Sequence, residues 1–397
     1  MTLESTIEIQ SGSSGSDYLQ RARDLAPLIE AEADTAEKET DVTEVVAQAL
    51  RDAGLFWMFA PREFGGGEVD ITIALEVMEE IARADGSTGW MFMATSIGTR
   101  NASLYLPDEA RRELFGGPHK AICGGFGGPL GKAVRAEGGY RGSSERVPFG
   151  SGSTYITHIA AGMRLFDEDG NPVLAENGQQ ELRMTYIPRE RFNILGNWDV
   201  MGLVASGSYD YQVPEQFIPE RFTLPLVHYL DPFRPLRENR IDRASLGAAG
   251  HAGVALGIMK RALQEVARIT DGKSRLGYPE AVGNYPVFLH EFSQKEASYQ
   301  AARRYVLDAF AEAEAAATET GEVSAVLIAR MRQATTWAHK VADEVVSFCH
   351  LWGGTQALRN PSALGRCTRD MAVAKNHLFV DPITYVTTAS PILETWR

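Results

Sequence analysis

The sequence predicts a mainly α-helical protein with a β-domain set between an N-terminal helical domain and a C-terminal helical bundle. Three observations predict it. Apolar residues recur at helical spacing to about residue 115, short alternating runs broken by Gly, Asn and Pro follow to about 235, and three long helical periods fill most of the remainder. At 397 residues with 44% apolar composition the chain can bury a large core, and its length suits two or three subdomains.

Residues 1–15 are polar and rich in Ser and Gly, the composition of a flexible tail. The N-terminal helical domain spans 16–115. In "YLQRARDLAPLIEAEAD", Leu19, Ala22, Leu25, Leu28 and Ile29 mark one helical face, and "VTEVVAQALRDAGL" repeats the pattern before a Gly stop. "PREFGGGEVD" interrupts it with three glycines. "ITIALEVMEEIARADG" and "STGWMFMATSIGTRNASLYL" then give two more helices, the second so apolar in its first turns that it should be enclosed.

The middle β-domain is expected over 116–235, from "KAICGG", "GKAVRAEGGYRGSSERVPF", "THIAAGMRLF", "LRMTYIP" and "YDYQVPEQFIP", with "DEDGNP" as a hairpin tip. The helical bundle is expected over 236–397, after "DPFRPLRENR". Its long helices begin at "IDRASLGAAGHAGVALG", "PVFLHEFSQKEAS" and "SAVLIARMRQATTW", and faces rich in Ala and Gly suit side-by-side packing.

Composition excludes several functions. The formal charge is −13 and no run of Lys and Arg could neutralise successive phosphates, which argues against nucleic acid and anionic membrane surfaces. No apolar run reaches the ~18 to 20 residues of a membrane span and the N-terminus has no signal pattern, so a cytoplasmic location is expected. Cys123, Cys349 and Cys367 have neither disulfide-framework nor zinc spacing and read as buried thiols. The eight histidines show no H-x-x-x-H or H-E-x-x-H pattern, so no metal site is expected on one helix.

Four features are candidates for chemistry. "GGFGGPLGKA", with Gly125 and Phe126, fails the phosphate-loop pattern and reads either as a Gly-rich edge that a flat ligand can approach or as a β-bulge. "FGSGST" (149–154) and "ASGSYDY" (205–211) place Ser hydroxyls beside Gly, for a ligand or for simple turns; no G-x-S-x-G elbow supports a hydrolase. Trp90, Trp198 and Trp352 are core residues or contacts for a planar ring. "RDMAVAKNHLFVDP" puts His377 on what reads as a helix stopped by Pro382, sharing a face with Asp370, Val373 and Ala374; it is structural filling or a reacting group. The helix end would favour its cation and burial would oppose it.

In order and spacing, "PREFGGGEVD", "GGYRGSSERVPFGSG", "GNWDVMGLVASGSYDYQVPEQFIPE" and "LWGGTQALRNPSALGRCTRD" resemble the acyl-CoA dehydrogenase fold over roughly residues 16–390. Many dehydrogenases of that fold have a catalytic Glu just past the final R-D-x helix. Here that region reads "HLFVDPITYVTTASP", with no Glu before Glu394. The chain is more similar to the two-component flavin-dependent monooxygenase branch, which includes phenol, secosteroid and dibenzothiophene oxygenases and amine N-hydroxylases. The segments that match that branch run from Phe149 to Gly152 and from Ser206 to Ser208, with Arg369, Asp370 and His377.

The resemblance implies an oxygenase that takes reduced FMN or FAD from a separate NAD(P)H:flavin reductase. With O2 it would form a C4a-(hydro)peroxyflavin that passes one oxygen atom to an aromatic or heteroatom-containing small molecule. It implies Ser151 at the flavin N5/O4 edge and Ser206, Gly207 and Ser208 closing the other side. Gly125, Phe126, Phe149, Gly152, Ser153 and Trp198 would line the ring, and His377 would lie near C4a. Arg275 would meet the flavin phosphate of a neighbouring subunit and Gly353 and Gly354 would approach that flavin, in a homotetramer. Trp90, Ser96, Arg100 and Asn101 would face the substrate; Ser96, Arg100 and Asn101 stand where several phenol hydroxylases carry a His. The competing expectation is an acyl-CoA dehydrogenase or oxidase with bound FAD.

Overall fold

The computed structural model of the protein describes residues 15–175, 177–226, 241 and 243–397. The segment "DPFRPLRENR" and residues 1–14 of the expected tail lie outside them; Gly15 already belongs to the first helix. Five helices come first: α1 (Gly15–Glu39), α2 (Glu44–Asp52), α3 (Ile71–Ala84), α4 (Gly86–Tyr105) and α5 (Asp108–Phe115). Asp85 starts α4 as a capping residue, accepting the Thr88 amide at 2.8 Å and the Thr88 hydroxyl at 2.9 Å. Such a cap contributes about 1 kcal/mol by satisfying a donor that the first turn cannot pair.

Seven strands follow: β1 (Cys123–Ala136), β2 (Gly139–Gly150), β3 (His158–Phe166), β4 (Leu182–Pro188), β5 (Asn193–Ile194), β6 (Tyr209–Pro219) and β7 (Thr223–Pro225). They form one sheet in the order β5-β6-β2-β1-β3-β4-β7. The β1–β3 pair is parallel and every other pair is antiparallel. "DEDGNP" turns as expected, with Gly170 at φ +84°. In the Gly-rich stretch the register of β1 against β3 shifts between Phe126 and Pro129 and again between Pro129 and Gly131, so the bulge reading holds there. A side chain on Gly162 of β3 would strike the Gly127 and Gly128 backbone, which shows that these glycines serve strand-to-strand approach.

Among the described residues five more helices follow: α6 (Arg243–Thr270), α7 (Pro286–Thr320), α8 (Ala325–Gly353), α9 (Ala363–Ala374) and α10 (Ile383–Glu394). Helix α8 packs on α6, α7, α9 and α10. The glycine face of α6 turns mainly to the N-terminal helices: a Cβ on Gly253 would lie 2.8 Å from Met78 Cβ, and one on Gly257 would strike Glu79 O. Large side chains there would push α3 off the bundle, so the small residues set how closely the two helical parts dock. Arg366 joins the same parts electrostatically, reaching Asp34 of α1 at 2.5 Å and Asp85 at 3.4 Å.

One expectation is corrected. The helix carrying Arg369 and Asp370 ends at Ala374, three residues before His377. Asn376 folds its amide back onto Ala372 O at 2.6 Å, and His377 is extended (φ −75°, ψ 144°). His377 therefore caps a short 3-10 turn, Leu378–Val380, and does not share a helical face with Asp370.

Candidate active site

The two Ser-Gly-Ser segments, more than fifty residues apart in sequence, meet at the end of the sheet. Ser151 Oγ lies 2.7 Å from Ser208 Oγ, which lies 2.7 Å from Ser206 Oγ, so three buried hydroxyls form one chain. The Gly152 amide donates to Ser206 O at 3.0 Å and fixes the two turns together. Ser153 Oγ is buried with no hydrogen-bond partner among the described residues. A buried orphan hydroxyl costs about 1–3 kcal/mol, so it suits a place where a ligand completes the bonding.

Aromatic rings border this serine chain. Phe149 sits next to it at φ +63°, 58% exposed, with its ring edge-on to Phe126 at 6.5 Å. Phe126 is itself held by its amide, which donates to the Tyr211 hydroxyl at 3.0 Å. Trp198 donates its indole N–H to Leu203 O at 3.2 Å, so what it has left to offer is ring surface. Leu203, in the left-handed region at φ +53°, donates its own amide to the Asp370 carboxylate at 2.6 Å. Asp370 thus anchors the loop that carries Trp198 and leads into Ser206–Ser208. Burial and the nearby Asp85 push its carboxyl up to about 7, against the Leu203 amide and Arg366.

A second cluster surrounds His377. Its ring stacks on His251 of α6, with centroids 4.0 Å apart and planes 26° apart. Trp90 stands edge-on to both rings, 4.8 Å from His251 and 5.7 Å from His377, and Phe379 closes a further side. Burial pushes His377 down to about 4 and His251 well below the ordinary imidazole value, so both are neutral near pH 7. Of the two opposing effects on His377, burial wins over any helix end, because α9 has already stopped.

On α4, Trp90, Ala94, Ile97, Gly98 and Asn101 are partly exposed while the rest of the helix is buried. Their spacing places them on one face, which Trp90 joins to the histidine pair. Ser96 and Arg100 are buried elsewhere on the helix, and Ser96 Oγ lacks a hydrogen-bond partner among the described residues. The structure thus sets Trp90 and Asn101 on the partly exposed face and leaves Ser96 and Arg100 off it. Arg275 lies at the end of α8 beside Gly354: its guanidinium donates to Trp352 O at 2.7 Å and Leu351 O at 3.1 Å, and Lys273 donates to Gly353 O. Two cations thereby cover the carbonyl end of α8.

His251, Phe379 and Asp41 carry no signal that singles them out in the sequence. His251 lies in an Ala/Gly-rich helix with no polar partner at helical spacing, and only tertiary packing brings it to His377. Asp41, in the turn after α1, accepts the Thr154 hydroxyl at 2.6 Å and lies where a side chain on Gly207 would go, so it braces both serine segments. Burial pushes Asp41 up to about 6. Two acids follow His377, and neither faces it: Asp381 caps the Ile383 amide at 2.8 Å, and Glu394 is exposed and paired with Arg397. Among the described residues no group of three His, Cys, Asp or Glu could hold a metal ion, and no helix is long and apolar enough to cross a membrane.

Comparison with known proteins adds to this geometry. Residues 19–116 match the acyl-CoA dehydrogenase N-terminal domain and residues 249–382 the acyl-CoA dehydrogenase C-terminal domain. The chain is 26% identical to indole-3-acetate monooxygenase of Pseudomonas putida, over 95% of this chain and 92% of that one. It is 26% identical to the flavin-dependent monooxygenase oxygenase subunit HsaA of Rhodococcus jostii, over 51% of this chain and 50% of that one. The solved structure of XiaF from Streptomyces sp., in complex with FADH2 and glycerol, shares the fold with a TM-score of 0.87 over 96% of both chains at 20% identity.

Proposed function

The chain belongs to the acyl-CoA dehydrogenase family, and from that premise we propose that it is the oxygenase component of a two-component flavin-dependent monooxygenase. One observation carries the reading. Many dehydrogenases of the fold carry a catalytic Glu just past the R-D helix; this chain has no Glu there before Glu394, and its turn after that helix presents a neutral histidine stacked on a second one in an aromatic box. The relatives named as monooxygenases support the same reaction class.

The residues present fit a flavin. The orphan Ser153 hydroxyl, the Ser151–Ser208–Ser206 chain and the Phe126, Phe149 and Trp198 rings offer polar edges and flat apolar surface at one end of the sheet. Reduced FMN or FAD, when bound, supplies two electrons to O2, so that one oxygen atom enters the substrate and the other leaves as water. The serines orient the ring edge. Trp90 and Phe379 exclude water around His377, and a dry pocket is what keeps activated oxygen from being lost as peroxide. His377 accepts the Phe379 amide at Nδ1, 3.3 Å away, so in its neutral form Nε2 holds the proton and donates a hydrogen bond to the reacting centre.

The substrate is a small aromatic or heteroatom-containing molecule that meets the partly exposed face of α4, at Trp90 and Asn101. Arg275, Gly353 and Gly354 serve a neighbouring subunit's flavin within a homotetramer, and a separate NAD(P)H:flavin reductase supplies the reduced flavin in the cytoplasm. The test is anaerobic titration with reduced and oxidised FMN and FAD, followed by reaction with 18O2 and an aromatic substrate panel. Tighter binding of reduced flavin and one 18O per product molecule are expected, from a particle of tetramer mass. A protein that purifies yellow, bleaches with an acyl-CoA and incorporates no oxygen is a dehydrogenase, and the proposal fails.

A further inference from the structure

The turn that carries His377 docks onto α6 at two positions one helical turn apart. His377 lies on the His251 ring, and Phe379 lies on Gly247, where an added Cβ would be 2.9 Å from Phe379 Cδ2 and closer still to its ring edge. Gly247 and His251 are i and i+4, so they share one face of the helix. The Phe379 amide reaches His377 Nδ1 at 3.3 Å, a long hydrogen bond within a partly buried turn. By itself it would leave the imidazole, with its broad second torsion, free to rotate. His251 below and Trp90 at the edge remove that freedom.

We propose that His251 is a positioning residue whose stacked ring fixes the plane of His377, so that Nδ1 of His377 stays on the Phe379 amide and Nε2 stays the proton-bearing atom facing the site. His377 is then a fixed donor near neutral pH and not a base. The catalytic consequence rests on the monooxygenase reading; the geometry of the pair does not.

Among the described residues the titratable groups around His377 are His251 from α6, stacked on it, and His339 from α8, near enough to interact with it electrostatically. His339 Nδ1 lies 2.9 Å from Thr335 O, to which it donates. Lys375 and Asp343 close on each other at 2.8 Å, and Asp381 is held by the Ile383 amide. Among the described residues no charged side chain is therefore directed at the pair, and its state depends on the stack and on burial.

The test is 15N ring NMR of the histidine-labelled, flavin-free protein between pH 5 and 8, with His377→Ala to assign the His377 signals. In the wild type His377 should show a protonated Nε2 and an acceptor Nδ1, without titrating in that range. His251→Ala should turn the His377 signals into a tautomer mixture titrating nearer pH 6.5, and lower product per reduced flavin about 10-fold with a new pH dependence. His251→Phe, which keeps a ring but no nitrogens, should restore the His377 signals and recover most of that loss. Gly247→Ala, which displaces Phe379, should repeat the His251→Ala pattern from the other docking point. A wild-type His377 that is cationic or Nδ1-protonated at pH 7 overturns the proposal, as does unchanged His377 titration in His251→Ala. Normal NMR behaviour with no oxygenated product from the wild type would instead count against the monooxygenase reading alone.

Discussion

The Asp370 carboxylate accepts the Leu203 amide at 2.6 Å, tying α9, which carries the R-D motif, to the loop that carries Trp198 and Ser206–Ser208. There is no room to shift this contact. A side chain on Gly202 would strike Arg369 O, and one on Gly86 would lie 2.6 Å from Asp370 Oδ2. The motif therefore works through the backbone of a loop on the far side of the domain boundary.

Asp370→Ala should leave the Leu203 amide unpaired, cost about 1–3 kcal/mol in stability and weaken reduced-flavin binding. Asp370→Asn keeps an acceptor and cannot ionise. Because the Asp370 carboxyl is raised from 3.8 to about 7, its contribution to stability is full below pH 4 and is lost as pH rises towards 7. Asn should therefore match wild type at pH 4 and gain on it up to pH 7. Denaturant unfolding across that range measures this; a constant difference between the two would contradict it.

Ser151→Ala should weaken reduced-flavin binding about 10-fold, since it removes the hydroxyl at one end of the chain through Ser208 to Ser206. Fluorescence titration under anaerobic conditions gives the affinity, and an unchanged value would remove Ser151 from the cofactor contacts.

His377→Ala should leave reduced-flavin binding nearly intact while lowering product on the order of 100-fold, the usual scale for loss of a positioned hydrogen-bond donor at a reacting centre. The consumed reducing equivalents should appear as hydrogen peroxide. Product and peroxide measured together distinguish this from a simple loss of folded protein, and near wild-type coupling would rule out the role.

Acid should destabilise the protein through its neutral histidines. Burial lowers His339 from 6.5 to about 4, so between those values the unfolded chain takes up a proton that the folded one refuses. Stability is lost as pH falls through that window, by roughly 3 kcal/mol for this one group. His339→Leu removes the term. Its unfolding free energy relative to wild type should improve by about that amount between pH 7 and pH 4, and no pH dependence in the difference would show that His339 is not the source.

Much of the organisation is legible in the sequence because it rests on local pattern. The 3.6-residue period gives α7, "PVFLHEFSQ…TET", its observed bounds Pro286–Thr320, and β-rich runs ended by Gly and Pro give β3, β4 and β6. The Ser-Gly-Ser segments stand out by composition and prove to be in contact, whereas Arg275, Gly353 and Gly354 are singled out only by the family resemblance. His377 stands out too, though on a helix that in fact ends at Ala374, because "AKNHLF" has neither Gly nor Pro to mark a stop that Asn376 makes with its side chain.

What the sequence by itself determined is the helical, β-rich and helical order of the chain, its family, and the absence of a carboxylate between Asp381 and Glu394. Periodicity, turn chemistry and motif spacing are properties of neighbours along the chain. Only the tertiary structure decided that His251 lies on His377, that Asp41 braces Gly207 and that Asp370 holds Leu203. Each of these pairs joins residues more than 120 positions apart, so no local propensity encodes them. Their protonation states follow from burial, and burial exists only once the helices and the sheet have closed around them.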